Sequence, residues 1–169
     1  MDIKWIGAIL IISASGSFGF MLSAAHYREE KYIKSLINAL DFMVSELHFH
    51  AASLPELCRK TAGESIREIG GIFFRLGEEL DRNINPNVSC CMESVLVNTD
   101  LPPLVTESFN LLGRSLGKFD LEGQLQDLES VRHSCRQALK QLTDNRELRL
   151  RNYHTLSLCA GAALAILLV

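Results

Sequence analysis

The chain carries an apolar segment at each end and a polar, charged stretch between them. Trp5–Ala25 is 21 residues long without a charge, and Tyr153–Val169 is 17 residues long without an acid or a permanent base. A helix that spans a bilayer needs about 20 mostly apolar residues, and its backbone groups have to be hydrogen-bonded within the segment. The pattern therefore predicts transmembrane helices at 5–25 and 153–169 around a central domain at 26–152.

Each apolar segment has an alternative reading. At about 1.5 Å per residue the second segment reaches roughly 25 Å, less than a hydrocarbon core of about 30 Å, so a buried amphipathic tail is its alternative. The first segment ends in Ser23-Ala24-Ala25, a small-residue sequence that a signal peptidase can cleave. Trp5 and Tyr153 lie where interfacial aromatic residues are typical, so we expect both at the membrane surface.

Small residues recur every fourth position in the first segment, at Ser15, Gly19 and Ser23. This spacing places them on one helix face, where another membrane helix can approach closely. We therefore predict a packing face there, although the same spacing also arises by chance.

Basic residues flank both segments on the side of the central domain. They are Arg28, Lys31, Lys34, Arg146, Arg149 and Arg151. On the outer sides the only lysine or arginine is Lys4. Because an excess of Lys and Arg beside a span marks the cytoplasmic side, we expect a cytoplasmic central domain with both termini outside.

Composition argues against several classes of protein. The net charge is −3 and no basic stripe carries interleaved aromatic residues, so nucleic-acid binding has no support. The five cysteines form no CxxC pair, so neither a zinc ribbon nor a thioredoxin-like site is predicted. Reduced thiols are the expectation, which agrees with a cytoplasmic location.

Apolar residues recur at steps of three and four along the central stretch, which is the period of an amphipathic helix. The predicted helices are 32–50, a short one after Ser53 that Gly63 ends, 66–82, 88–97, one that starts near Pro103, and one that Asp120 caps. The core face of the last helix is predicted to carry Leu121, Leu125, Leu128, Cys135, Leu139 and Leu142. No helix breaker lies between Gln124 and Leu150, so this helix is expected to run into the second apolar segment as a rigid link.

No stretch of the central region alternates apolar and polar residues as a strand does. The fold class is therefore all-α, a cytoplasmic bundle of about five or six helices flanked by N- and C-terminal transmembrane helices.

A corner is predicted where the first two helices of the bundle meet. Ser53–Glu56 reads as a capping box, in which the Ser53 side chain accepts from an early backbone N–H and Glu56 reaches back. Pro55 fits the first turn, where its missing N–H is not needed. Ser65–Glu68 reads as a second capping box. We interpret Ser53, Pro55 and Glu56 as a structural corner, with a protein contact site as the alternative.

No arrangement of residues indicates catalysis or metal binding. His48 and His50 are two residues apart and lie on different helix faces. Glu46 with His50, and Glu129 with His133, have the spacing to meet, but di-iron bundles use Glu-x-x-His at three-residue spacing. No P-loop and no nucleophile elbow occurs. We therefore expect no catalytic residue, no cofactor and no metal.

Four stretches together resemble the stage III sporulation protein AB family of endospore-forming bacteria. They are Gly19–Ala25, Ile37–Glu56, Leu111–Gln124 and Tyr153–Val169, and they occur in the family's order over essentially the whole length. Within the third stretch, Leu116-Gly117 followed by Asp120 and Gln124 is similar to the family's Leu-Gly-x-x-Asp-x-x-x-Gln element. The chain departs from the family's usual pattern at His154, Ser157 and Phe119.

The resemblance implies a function that composition does not show. The family is similar to the cytoplasmic domain of the inner-membrane platform protein of type II secretion and type IV pilus systems. It implies a scaffold in the mother-cell membrane around the forespore, which couples a cytoplasmic secretion-type ATPase to membrane rings. The expected partners are that ATPase, other proteins of the complex and membrane lipid. Self-association into a homo-oligomer is also compatible with the resemblance. The alternative is a secreted or surface-anchored helical binding module, formed if the first segment is cleaved.

Overall fold

A computed structural model describes residues 27–49, 52–82, 87–117 and 121–168, with side chains as far as Asp144. Within these ranges the chain forms six α-helices and no strand, which confirms the all-α prediction. The helices are α1 27–49, α2 Leu54–Gly63, α3 Arg67–Arg82, α4 Val88–Leu96, α5 Pro103–Ser115 and α6 Leu121–Leu168.

The chain divides into two compact units. One is Lys31–Leu139, and the other combines Met1–Glu30 with Lys140–Val169. In the first unit, the apolar stripes predicted from the sequence form the core. Its fully buried members include Ile33, Leu36, Leu40, Met43, Leu57, Ile69, Phe73, Leu76, Met92, Val105, Phe109, Leu112 and Leu128.

Two aromatic rings join α3 to α5 inside this core. The ring centroids of Phe73 and Phe109 are 5.5 Å apart with an interplanar angle of 60°, and neither side chain is exposed. Aromatic pairs in such tilted arrangements contribute about 0.5–1.5 kcal/mol beyond the area they bury. The pair therefore fixes the register of two helices that are more than twenty residues apart in sequence.

Local residues set where several of the helices start and end. Gly63 is the last residue of α2, as predicted. Asn87 caps α4, because its side chain accepts hydrogen bonds from the N–H groups of Ser89 at 3.1 Å and Cys90 at 3.3 Å. After α5 the chain turns at Gly117, whose φ of +89° favours glycine. The predicted cap at Asp120 lies outside the described residues.

The last helix is uninterrupted over 48 residues, from Leu121 to Leu168. This confirms the prediction that no breaker divides it. Its predicted core face is correct at Leu128 and Cys135, which are buried, whereas Leu121 is 46% exposed. The prediction was wrong for Leu121 because this residue is the first of the helix, where few neighbours cover a side chain.

Candidate functional site

The corner predicted at Ser53–Glu56 is present, but it is not built by a capping box. Ser53 is the N-cap residue of α2 and is exposed, and its side chain makes no capping hydrogen bond. The helix is started instead by its backbone, since Leu57 N–H donates to the Ser53 carbonyl at 2.8 Å. Pro55 occupies the first turn as predicted. The capping-box prediction was therefore wrong for Ser53, while the helix start was correct.

The second predicted capping box, at Ser65, does not form either. The helix α3 begins at Arg67, so Ser65 is not its N-cap residue. The Ser65 hydroxyl donates to the carbonyl of Thr61 at 2.8 Å and thereby closes the end of α2. At the start of α3, the Ile66 N–H donates to the Ser35 hydroxyl of α1 at 3.4 Å. A tertiary contact thus takes the place of the local cap.

Close backbone contact holds the corner against α3. A Cβ atom built on Gly77 would stand 3.0 Å from the Pro55 carbonyl oxygen and 3.4 Å from the Cys58 Cβ. Since an ordinary side chain would push these atoms apart, glycine at this position lets α2 and α3 pack closely. Burial raises the pKa of the Cys58 thiol to about 12, so this side chain is a neutral part of the core.

Ion pairs tie the same corner to its neighbours. Lys60 of α2 pairs with Glu46 of α1 and also with Glu56, the latter at 3.4 Å. Arg59 pairs with Asp81 of α3, and the hydrogen bond that Arg59 donates to this carboxylate raises the pKa of the guanidinium. Ser53, Pro55 and Glu56 therefore lie together at a junction of three helices. These contacts favour the structural interpretation of the corner, and the contact-site alternative stays a prediction.

A second ionic cluster joins α1 to α6. Arg132 Nη1 donates to Asp41 Oδ1 at 2.7 Å, and Arg136 Nη2 donates to the same oxygen at 3.3 Å. Arg132 also pairs with Glu129. The hydrogen bond with Asp41 is the main cause that raises the pKa of Arg132. Partly exposed pairs of this kind contribute about 1 kcal/mol or less each, so the cluster fixes helix register more than it stabilises the fold.

The carboxylate and histidine pairs considered from the sequence do not assemble. Glu129 binds Arg132, and His133 contacts Gln137 at 2.9 Å between ring and amide nitrogens. Glu46 binds Lys60, and His50 lies outside the described residues. Within the part of the chain that the structure describes, no group of three or more His, Cys, Asp or Glu side chains could hold a metal ion.

The cysteines with described side chains are free thiols in distinct settings. Cys58, Cys91 and Cys135 are buried, whereas Cys90 is exposed. Burial raises the pKa of Cys135, and a hydrogen bond with Ser108 lowers it in part. Cys90 is therefore the described thiol that a reagent in solution can reach most readily.

One surface feature was missed by the sequence analysis. A groove of about 780 Å³ lies between α5 and α6, and its lining includes Leu104, Leu111, Asn110, Ser134 and Ala138. Leu111 is 41% exposed, whereas Val105, Phe109 and Leu112 on the neighbouring stripe of α5 are buried. The signal that could have indicated the groove is a second apolar stripe on α5, at Leu104 and Leu111, one residue offset from the buried one.

The predicted membrane residues lie outside the described side chains. Trp5, Ser15, Gly19 and Ser23 fall before residue 27, and of Tyr153 only the helical backbone is described. Among the described helices, none has the length and apolar character that crossing a membrane requires. The second predicted span is therefore not confirmed, and the first is not tested.

Comparison with known proteins gives one family. The model of the family described as Stage III sporulation protein AB matches residues 4–169. A solved structure of Stage III sporulation protein AB is similar in fold, with a TM-score of 0.61 at 15% sequence identity. The match covers 72% of this chain and 98% of that one. No curated protein matches the chain in sequence.

Proposed function

Because the chain belongs to the stage III sporulation protein AB family, we propose that it is a non-enzymatic platform protein of a sporulation complex. In this proposal, terminal helices at 5–25 and 153–169 anchor it in the mother-cell membrane around the forespore. The bundle at 26–152 lies in the cytoplasm and docks a secretion-type ATPase, which supplies the hydrolysis. The chain transmits the resulting movement to membrane rings.

The observation that carries the proposal is the uninterrupted helix α6. It contributes Leu128, Val131 and Cys135 to the core of Lys31–Leu139, and it continues through 153–168 of the apolar C-terminal segment. Sharp kinks in helices arise mostly at proline, and α6 contains none. A bundle held on such a helix suits a protein that passes on force.

The chemistry of the described surface supports a scaffold over an enzyme. The carboxylates and basic groups named above neutralise one another in pairs, and burial raises the pKa of the Cys58 and Cys135 thiols. A catalytic group would need a substrate-accessible position with a tuned pKa. The described residues place the raised thiol pKa values in the core instead.

Purification of the tagged chain from sporulating cells tests the ATPase part of the proposal. Membranes would be used either directly or after a wash with alkaline carbonate, which strips peripheral proteins. The chain would be solubilised and purified from both preparations. We expect the chain to resist the wash and a secretion-type ATPase to co-purify with it from unwashed membranes. Release of the chain by carbonate would contradict anchoring, and recovery of the other complex proteins without the ATPase would contradict coupling.

A further inference from the structure

We propose that the groove between α5 and α6 is a self-association surface that receives α5 of a second copy of this chain, antiparallel across a two-fold axis. The inference rests on the described residues of Lys31–Leu139 and is independent of the membrane and ATPase proposals.

One face of α5 carries the pattern that such a pairing needs. Leu104, Glu107, Leu111 and Arg114 follow one another at steps of three, four and three, which places them along a single helix face. All four line the groove. Leu111 is 41% exposed, so part of its side chain is open to solvent along the groove.

The two charges on this face have no ionic partner within the described part of the chain. Glu107 and Arg114 are both exposed, and neither takes part in any salt bridge found there. This contrasts with Arg59, Lys60 and Arg132, each of which is paired. An unpaired acid and an unpaired base on one apolar face are therefore available to an outside partner.

Their spacing makes the face complementary to itself. Seven residues separate Glu107 from Arg114, about 10.5 Å or two turns along the helix. In an antiparallel pair centred between these residues, Glu107 of each copy meets Arg114 of the other. The two Leu111 side chains then pack near the axis. An interface of this two-fold kind uses the same patch on both copies, so one attractive contact is made twice.

The groove supplies room for the partner helix beside these charges. Ser134 and Ala138 of α6 are small, so a ridge of leucines can enter between the helices. Asn110 also lines the groove, but its Oδ1 is buried within its own copy, so the pairing rests on the charges and leucines alone.

A pair of charge reversals tests the inference directly. The full chain would be co-expressed with two different tags, solubilised from membranes in detergent, and purified through one tag. We expect E107R and R114E each to reduce co-purification of its own kind by roughly tenfold, since each creates two like-charge contacts. Mixing an E107R copy with an R114E copy restores both attractive contacts, so this combination should co-purify as wild type does. The double variant E107R/R114E should also self-associate.

Rescue in the mixed pair separates the interface from damage to the fold, because two misfolded chains would not recover together. Glu93→Arg, a charge reversal at an exposed position of α4, serves as the control and should leave self-association unchanged. The inference is overturned if wild-type copies do not co-purify. It is equally overturned if the single variants self-associate normally, or if the mixed pair fails to recover.

Discussion

A Cβ atom built on Gly70 of α3 would stand 2.5 Å from the carbonyl oxygen of Ala62 in α2. No real Cβ atom tolerates that distance to a backbone atom, so any other residue would force the two helices apart. Gly70 therefore marks a point of close backbone contact between α2 and α3.

We therefore expect Gly70→Ala to lower the free energy of unfolding by about 1–3 kcal/mol, the usual cost of overpacking. Gly71 is the matched control, because a Cβ built there meets nothing within 4 Å. Alanine is the better helix former, so Gly71→Ala should stabilise the protein by about 0.5–1 kcal/mol. Denaturant unfolding followed by circular dichroism measures both. Equal effects of the two substitutions would contradict the close packing of α2 and α3.

The two N-cap residues Ser53 and Asn87 should respond differently to alanine. Asn87 accepts two backbone hydrogen bonds, so Asn87→Ala should cost about 1 kcal/mol. The Ser53 side chain makes no capping bond, so Ser53→Ala should change the free energy of unfolding by less than about 0.5 kcal/mol. The same unfolding experiment compares them. A larger loss at Ser53 than at Asn87 would restore the capping box that the sequence suggested.

The buried thiol of Cys58 should make stability depend on alkaline pH. Its pKa is raised from 9.0 to about 12 in the folded chain. The unfolded chain therefore loses this proton first as pH rises, so the contribution is complete below pH 9.0 and is lost progressively up to about pH 12. We expect wild type to lose up to about 1.4 kcal/mol more per pH unit in this window than Cys58→Ala does. Parallel stability curves for the two proteins above pH 9.0 would show that Cys58 is not buried as described.

Breaking α6 should separate folding from function. Proline inside a helix removes a hydrogen bond and clashes with the preceding turn, at a cost of about 3 kcal/mol or more. Thr143 lies in α6 after the end of the unit Lys31–Leu139, so Thr143→Pro should leave that unit folded and yet strongly reduce spore formation. Thr143→Ala keeps the helix and serves as the control. Normal sporulation of the proline variant would rule out transmission along this helix.

The fold could be predicted from the sequence because its helices are amphipathic and separated by strong breakers. The stripes at Ile33–Leu40 and Ile69–Leu76 repeat with helical period, and their residues are buried. Two helix boundaries are also set locally, since Pro103 fixes φ at the start of α5 and the conformational freedom of Gly63 weakens the end of α2. Such signals depend on neighbours in sequence and are therefore visible without a structure.

The capping details and the groove could not be predicted, because both depend on contacts between distant residues. Ser35 of α1 satisfies the N–H at the start of α3, which displaces the local cap that Ser65 would have formed. Glu129 pairs with Arg132 rather than with His133, because Arg132 is also held in place by Asp41. Likewise, the stripe at Leu104 and Leu111 can be read from the sequence, but which α5 stripe faces the core and which lines the groove depends on how α5 packs against α6.

The side of the membrane on which the bundle lies is the central claim, and Cys90 offers a native probe for it. This thiol is exposed, whereas Cys58, Cys91 and Cys135 are buried. The chain would be expressed in the plasma membrane of a bacterium, with Cys159→Ala to remove the thiol of the predicted second span. Intact and lysed cells would then be treated with a membrane-impermeant maleimide.

Cys90→Ser defines the background labelling, and Cys90→Ser/Asp2→Cys places a thiol at the terminus expected outside. The account predicts that Cys90 reacts only after lysis while the Asp2→Cys thiol reacts in intact cells. Labelling of Cys90 in intact cells would contradict a cytoplasmic platform domain.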